Sequence, residues 1–335
     1  MLHDIFLLMK SSWAQLTKKY LASLLTEVHG PSHISCYLAH GTQEFCYHDQ
    51  DIIYDLASLT KVLCTTTLLM LNVQRGRIRL TDHHADFPQL NLSHLLTHTS
   101  GLPAWQPLYL QLHDKKQIIA FLKELKLQNP PGKMRLYSDL GFMILGDFLE
   151  KLYQMNLDEI FQSEIGNDLY YHPPDPSQVI ATSIGNPFEK ARSNQSRQFR
   201  NYRLQGEVND GNAFHLYAGA APHAGLFGST KGVLAVMNLW TQNDFISAKT
   251  LNLFLQTKIA NNSLGFASSP EQLKIKLPFE LYGHHGFTGC TLLFNPQQNF
   301  RFIYLSNRQY RGLNHQGQYP DWKPALQELL QAMIG

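Results

Sequence analysis

The sequence has no excess of charge of one sign and no uninterrupted hydrophobic run of the length that crosses a membrane. Lys and Arg together number 28, and Asp and Glu number 26, so the chain carries no overall field that would recruit nucleic acid or an anionic membrane. The stretch from Gly211 to Thr230 lacks charged side chains, but Pro222 and two histidines interrupt it, which would be costly in a lipid-facing helix. We therefore expect no nucleic-acid partner and no membrane span.

Cysteine is also scarce. The four cysteines form no Cys-x-x-Cys pair of the kind that binds zinc. Cys36 and Cys46 are placed to face each other across a hairpin, so a disulfide between them is one alternative. The apolar run from Ile5 to Met9 lacks the preceding positive charge and the following cleavage site of a secretory signal. These observations favour the cytoplasm and reduced thiols.

Strand patterns lie near both ends of the chain. Extended runs from Ile34 to Ala39 and from Glu44 to Tyr47 flank His40-Gly41-Thr42, which is typical of a hairpin. Runs rich in β-branched and aromatic residues return at 288–294 and 300–305, separated by a turn that contains proline and asparagine. Because strands occur at both ends, we expect one sheet assembled from the two ends, with antiparallel strands.

Helical patterns fill the rest. A first helix is predicted from Trp13 to Val28, ended by Gly30-Pro31, a second from Ser58 to a C-cap at Gly76, and a last one over 322–334. The middle of the chain has short helical segments separated by Pro, Gly and polar loops. The fold class is therefore α/β, more narrowly α+β: an antiparallel sheet flanked by helices, with a mostly helical inserted domain. We place the sheet domain at 1–80 and 206–335 and the insert at 81–205.

Ser58 and Lys61 form a Ser-x-x-Lys sequence, which puts a hydroxyl and an amine one helical turn apart at the start of the second helix. A serine hydroxyl becomes a good nucleophile when a neighbouring base takes its proton, and a lysine can be that base when burial or nearby cations lower its pKa. Backbone N–H groups at a helix start also point toward developing negative charge. The alternative is a helix-capping serine followed by a solvated lysine.

Two later segments carry related chemistry. A Pro-Gly turn precedes Tyr137 and Asp139, which are two residues apart and are expected to project into one cleft. Further on, His284 and Gly286 stand just before a predicted strand. Small residues there would let a substrate lie against the strand edge, and a backbone N–H would complete an oxyanion hole.

These three elements in this order resemble the superfamily of serine β-lactamases, penicillin-binding proteins and esterases, whose pattern is Ser-x-x-Lys, Tyr-x-Asn, and then Lys- or His-x-Gly on a strand. The stretch from His94 to Pro103 is similar to a Leu-Leu-x-His-Thr-Ser-Gly-Leu signature of the class C-like branch. The stretches Gln205–Asp210 and His223–Phe227 are similar to later motifs of that branch. The resemblance covers roughly Asp55 to Leu305.

The resemblance implies an acyl-enzyme mechanism that uses neither a metal nor a cofactor. Ser58 would attack a carbonyl, Lys61 and Tyr137 would share the handling of the proton, and the backbone N–H groups of Ser58 and Phe287 would hold the oxyanion. Water would then release the acyl group.

The resemblance also implies substrate-binding roles for Asp139, His284 and Gly286. Asp139 replaces the usual asparagine, and His284 replaces a lysine, so a positive charge for a substrate carboxylate becomes pH-dependent. His284 would contact that carboxylate or support Tyr137. Both replacements occur in esterase-like and peptidase-like members. We therefore expect a carboxylesterase or a D-amino-acid peptidase or amidase, with weak or no β-lactamase activity, acting on a small or peptide-like substrate. The alternative is a catalytically silent penicillin-binding-like protein that binds a ligand or a protein partner.

Three other groups of residues suggest different sites. His83-His84-Ala85-Asp86 and the pair His94 and His98 have spacings that fit metal ligands, but no third ligand is convincingly placed, so we expect turn and packing residues. The basic run from Lys190 to Arg203 fits an anionic substrate, a nucleic acid or a solvated loop, and the balanced total charge favours the loop. Cys64 lies at helix-core spacing and is expected to be a buried thiol.

Overall fold

Both ends of the chain contribute to one antiparallel sheet in the computed structural model, which describes residue 15 and residues 17–47, 51–166, 168–191, 199–242, 245–268, 278–321 and 323–334. In sheet order its six strands are Ala267–Ser268 (β10), Tyr282–His285 (β11), Thr291–Asn295 (β12), Phe300–Ser306 (β13), Ile34–His40 (β1) and Gln43–Tyr47 (β2). Every neighbouring pair in this sheet is antiparallel. The fold predicted from the two ends of the sequence is confirmed.

The sheet separates two apolar layers because successive side chains of a strand point to opposite faces. In β1, Cys36 and Leu38 pack with Leu21 and Leu330, which belong to the first and last helices. Tyr37 belongs to the larger core on the other face, which contains the Ser58 helix and most of the remaining helices. The site therefore lies on the side of the sheet that the helical middle of the chain covers.

The helices surround this core. No helix among the described residues is both long enough and apolar enough to cross a membrane. In chain order the α-helices are residues 17–26 (α1), Thr67–Gln74 (α2), Leu92–Leu96 (α3), Ile118–Lys123 (α4), Asp139–Tyr153 (α5), Leu157–Glu164 (α6), Pro187–Ala191 (α7), Gly211–Tyr217 (α8), Thr230–Thr241 (α9), Ala248–Gln256 (α10) and Lys323–Ile334 (α11). Short 3-10 turns occur at Ala57–Leu59, Leu108–Leu110, Lys115–Gln117 and Pro176–Gln178, and a π-helical turn at Lys61–Thr66.

Eight two-residue strands occur among the described residues, counting β10 of the main sheet. The other seven are Tyr54–Asp55 (β3), Leu169–Tyr170 (β4), Ser183–Ile184 (β5), Arg203–Leu204 (β6), Phe227–Gly228 (β7), Lys258–Ile259 (β8) and Asn262–Ser263 (β9), and β8 pairs with β9. Strand β7 pairs with both β3 and β4, so one small sheet joins the segment before Ser58, the helical middle and the segment after it. The boundaries 81 and 205 remain a prediction.

Three boundaries differ from the sequence-based expectation. The first helix ends at residue 26, and Val28 is 82% exposed beyond it, while Trp13 and Leu16 lie outside the described residues. The strand expected from Thr288 begins at Thr291, because residues 286–290 form a tight turn in which the Gly289 N–H donates to the Gly286 carbonyl at 3.0 Å. His284 consequently lies within β11 rather than just before a strand.

The helical segment that follows Ser58 is buried on all sides over residues 61–72. Two of its threonines form hydrogen bonds with distant parts of the chain. The Thr65 hydroxyl donates to the Pro222 carbonyl at 2.7 Å, and the Trp240 indole donates to the Thr67 hydroxyl at 2.9 Å. These bonds satisfy polar groups that would otherwise be buried without partners. The segment therefore runs through the centre of the fold, and its first turn carries Ser58.

Candidate active site

The turn that carries Ser58 is fixed by a buried carboxylate. Ala57 has φ +46, a left-handed conformation that a residue with a Cβ adopts only under constraint. Asp55 supplies that constraint, because one of its oxygens accepts the Ala57 N–H at 2.8 Å and the other accepts the Asn209 N–H at 2.7 Å. Burial raises the pKa of the Asp55 carboxyl to about 6, against the lowering effect of these two bonds. The turn before Ser58 is thus tied to the Gln205–Asp210 stretch.

Lys61 is fully buried and contacts three groups. Its ammonium donates to the Ser58 hydroxyl at 3.0 Å and to the His223 carbonyl at 2.9 Å. It also forms an ion pair with Oδ1 of Asp139 at 2.7 Å. Burial alone would lower the pKa of Lys61, but Asp139 and Tyr137 outweigh it and the net pKa is raised. Lys61 is therefore a charged donor at neutral pH.

Tyr137 faces the same amine. Its ring centre lies 5.2 Å from the Lys61 nitrogen. Burial raises the pKa of the Tyr137 phenol, while Lys61 and a hydrogen bond with Ser58 oppose that rise only in part. The resting site therefore holds a neutral phenol and a protonated amine around the serine hydroxyl.

The His94–Pro103 stretch positions this tyrosine. His98 Nδ1 accepts the Ser138 N–H at 3.0 Å, the His98 carbonyl accepts the Leu136 N–H at 2.8 Å, and the imidazole packs against the Tyr137 ring at 4.5 Å between ring centres. Burial lowers the pKa of His98 well below its usual value, so the ring stays neutral and Nδ1 remains an acceptor. Ser138 then caps α5 by accepting the Gly141 N–H, which places Asp139 in the first turn. His98 is therefore a positioning residue, which the sequence analysis did not name as a site residue although it lies in the His94–Pro103 stretch that resembles a family signature.

The turn at 286–290 brings a backbone donor to Ser58. A Cβ on Gly286 would lie 2.7 Å from the Leu56 carbonyl oxygen, so only glycine lets this turn approach the nucleophile turn so closely. Within the described chain, the backbone N–H groups of Ser58 and Phe287 donate to no other group. Arg308 holds the turn from behind, with its Nε donating to the Phe287 carbonyl at 3.0 Å. Two free N–H groups beside a nucleophile are the donors that an oxyanion requires.

His284 lies behind the site. It is 5% exposed, its Nδ1 bonds the His285 carbonyl at 2.9 Å, and its ring lies 5.7 Å from that of Tyr137. Burial lowers the pKa of His284 well below its usual value, and the Lys61 charge lowers it further. A neutral, buried ring that does not line the Ser58 cleft does not fit contact with a substrate carboxylate. Of the two expected roles, support of Tyr137 fits the geometry.

A family model described as Beta-lactamase matches residues 41–323. The chain belongs to the β-lactamase family. It is 27% identical over 305 residues to the putative D-alanyl-D-alanine carboxypeptidase of Escherichia coli K12, a match that covers 77% of this chain and 69% of that protein. The protein of the same name from Salmonella agona is 26% identical over 310 residues, with 77% and 70% covered.

Solved structures support the same family fold. EstCE1, a hydrolase with promiscuous acyltransferase activity, has a TM-score of 0.74 at 15% identity, with 97% of this chain and 99% of that chain covered. The D-amino acid amidase of Ochrobactrum anthropi, in complex with D-phenylalanine, has a TM-score of 0.66 at 16% identity, with 90% and 93% covered. The predicted family resemblance is confirmed, and this member of the β-lactamase family is a serine hydrolase.

The cleft of this β-lactamase-family chain has a volume of about 230 Å³. Ser58, Tyr137, Asp139 and Phe287 line it together, so four of the seven predicted site residues share one cavity, with Lys61 buried beside them. The other lining residues were not predicted as site residues: Ala57, Trp105, Phe188, Glu189, Asn209, Asp210, His223 and Ala224. Asn209, Asp210, His223 and Ala224 lie in stretches that the family resemblance had marked, but no motif pointed to the aromatic residues.

The other candidate sites have structural partners. His84 Nε2 lies 2.6 Å from Asp147, and no group of three or more metal-ligating side chains occurs in the described ranges. In the basic run, Arg192 and Arg197 lie outside the described residues. Arg200 is buried rather than solvated and donates to the backbone carbonyls of residues 208 and 209. Cys64 is fully buried, as expected, and burial raises the pKa of its thiol to about 12.

Proposed function

We propose that this serine hydrolase cleaves an ester or amide of a small or peptide-like molecule through an acyl-enzyme on Ser58. The observation that carries the proposal is that Tyr137, from a distant part of the chain, meets Lys61 and Ser58 around one hydroxyl. A lone capping serine with a solvated lysine would not bury that lysine completely.

In the proposed acylation, Ser58 Oγ bonds to the substrate carbonyl carbon while its proton passes to the Lys61 and Tyr137 pair. The backbone N–H groups of Ser58 and Phe287 hold the oxyanion. The proton then goes to the leaving alcohol or amine as the carbonyl–leaving-group bond breaks. Water completes the cycle by the reverse proton path.

The protonation states of Lys61 and Tyr137 limit the rate of acylation. Because the pKa values of Lys61 and Tyr137 are both raised, neither group is a base in the resting site at neutral pH. Acylation therefore requires the minor form in which Lys61 or Tyr137 has lost a proton, and we expect the rate to rise toward alkaline pH.

The substrate class follows from what the cleft lacks. The relatives named D-alanyl-D-alanine carboxypeptidase suggest a peptide substrate, whose terminal carboxylate would need a cation. Among the described residues, no lysine or arginine lines the cleft, and His284 is neutral and buried. These features favour an ester or amide without that carboxylate, such as a substrate of a carboxylesterase or an amidase, and weak or absent β-lactamase activity.

The test compares wild type with Ser58→Ala on p-nitrophenyl esters, nitrocefin and D-Ala peptides. We expect ester cleavage that disappears in the variant, and little turnover of nitrocefin. Equal rates for the two proteins would refute the proposal. A fluorophosphonate adduct on Ser58, located by mass spectrometry, is the second readout, and its absence in folded protein would favour the silent binding protein.

A cytoplasmic location is part of the same proposal. Cys36 stands opposite Tyr47 and Cys46 opposite Tyr37 in the hairpin, so the two thiols lie on opposite faces of the sheet, and all four cysteines are free. Cell fractionation with an antibody to the protein tests it, and recovery in the periplasmic or secreted fraction would contradict it.

A further inference from the structure

The Ser58 cleft is lined by acidic side chains. Asp139, Glu189 and Asp210 contribute carboxylates, and no described lining residue is Lys or Arg. The Lys61 charge is paired with Asp139 at 2.7 Å. Arg200 directs its guanidinium to backbone carbonyls, and Arg308 donates to the Phe287 carbonyl. Asp210 and Glu189 therefore lack an equivalent cation in the cleft.

Asp210 carries a charge that the protein neutralises only in part. Its side chain is 19% exposed, and one oxygen accepts the Ala213 N–H at 2.7 Å and contacts Nε2 of His223 at 3.1 Å. Burial would raise the pKa of Asp210, but the His223 contact and the backbone bond outweigh it, and the net pKa is lowered. Asp210 is thus ionised at neutral pH.

His223 provides an independent sign of a missing hydrogen-bond partner. The residue is 1% exposed and lines the cleft, and its Nδ1 has no hydrogen-bond partner. A buried polar atom normally has a hydrogen-bond partner, so this nitrogen indicates that a polar group of a ligand belongs beside His223 and Asp210.

Glu189 is the third carboxylate that lines the cleft. Its carboxylate accepts the Tyr109 hydroxyl at 2.6 Å and the Gly211 N–H at 2.9 Å. Burial raises the pKa of Glu189 to about 7, and the neighbouring Asp210 charge raises it as well. A cation that enters the cleft would favour the ionised form of Glu189.

The remaining walls are aromatic. Trp105, Phe188 and Phe287 line the cleft, and the rings of Phe188 and Phe287 lie 4.8 Å apart. Aromatic faces bind apolar side chains and also attract cations. The cleft therefore combines an apolar surface with negative charge beside a nucleophile.

We propose that the acyl group of the substrate carries a protonated amine next to an apolar side chain, as in an α-amino acid ester or amide with a free amino group, and that Asp210 binds the amine. The inference rests on the proposed function. A cation at position 284 would have bound a negatively charged substrate group, whereas here a negatively charged residue binds a positively charged one. A charge-assisted hydrogen bond from ammonium to carboxylate is stronger than a neutral one and favours the charged substrate.

The experiment compares the methyl esters of phenylalanine, N-acetylphenylalanine and 3-phenylpropionic acid, with D and L forms of the first two, at pH 7. These esters differ in the amine and share the apolar side chain. We expect kcat/KM to be at least about tenfold higher for the free amine than for either neutral ester, equivalent to about 1.4 kcal/mol.

Asp210→Asn is the diagnostic variant. Asparagine caps a helix as well as aspartate does, so α8 keeps its cap while the charge is removed. We expect the preference for the free amine to fall at least about fivefold, mainly through KM, since a lost ion pair costs binding. Asp175→Asn removes one charge from an exposed turn outside the cleft and should keep the wild-type preference.

The outcomes separate the two proposals. Ser58-dependent cleavage with equal rates for the free amine and the N-acetyl ester, or a preference that Asp210→Asn leaves unchanged, overturns the amine proposal alone. Failure of wild type to cleave any ester faster than Ser58→Ala overturns both.

Discussion

Replacing Asp139 by asparagine should move the pH dependence of acylation to lower pH. Asp139 raises the pKa of both Lys61 and Tyr137. Removing its charge therefore lowers both pKa values, and the direction of the change does not depend on which group takes the serine proton. Asparagine is also the residue that the family pattern places there.

The size of the shift follows from the ion pair. At 2.7 Å, two unit charges in an effective dielectric of about 20 interact by roughly 6 kcal/mol, which is an upper limit because Asp139 is 14% exposed. An opposite charge at this range shifts a pKa by about 1–3 units in proteins. Burial, the largest single influence on Lys61 and the one that lowers its pKa, then acts without opposition from Asp139. We expect the midpoint of the acid limb of kcat/KM to fall by about 1–3 units.

The assay is kcat/KM for a p-nitrophenyl ester from pH 5 to 10, for wild type, Asp139→Asn and Asp175→Asn. Circular dichroism at each pH verifies that the proteins are folded. Asp175→Asn removes a charge of the same sign from an exposed turn and should leave the midpoint in place. An acid limb of folded Asp139→Asn that coincides with wild type, or moves to higher pH, would refute the assignment of Lys61 and Tyr137 as the proton-transfer pair.

Three other substitutions test the positioning of the site. Gly286→Ala places a Cβ against the Leu56 carbonyl, so we expect kcat to fall at least about tenfold through displaced donors. The urea unfolding midpoint should fall as well, because the clash is with backbone rather than with a flexible side chain. A variant with wild-type kcat would contradict this. Asp55→Asn turns one acceptor oxygen into a donor that faces a backbone N–H. We expect this variant to lose about 1–3 kcal/mol of unfolding free energy in urea and most of its activity. Wild-type stability would show that the carboxylate does not hold the turn. His284→Lys buries a second ammonium near Lys61, so we expect thermal denaturation at pH 7 to show a loss of roughly 3 kcal/mol or more of unfolding free energy. A variant as stable as wild type, with a gain of affinity for carboxylate-bearing substrates, would show that position 284 faces the cleft.

Much of the fold could be predicted from local patterns. The extended runs near both ends of the chain and the hairpin turn between the first strands depend on residue composition and turn chemistry, which act over a few residues. The spacing of Ser58 and Lys61 is similarly local. The buried helix after Ser58 could not be predicted as buried, because its environment comes from segments more than 150 residues away, such as Pro222 and Trp240.

Short sequence patterns were enough to identify the chemical groups that are present: one Ser-x-x-Lys pair, a tyrosine two residues before a carboxylate, and a glycine-rich segment before a late strand. Their ionisation and their neighbours depend on how the chain folds. It buries His284 as a neutral ring, pairs Lys61 with Asp139, and gathers Trp105, Phe188 and Asp210 around Ser58. A pKa and a cleft both depend on which distant residues exclude water from a point in space, and that information appears only when the chain is folded.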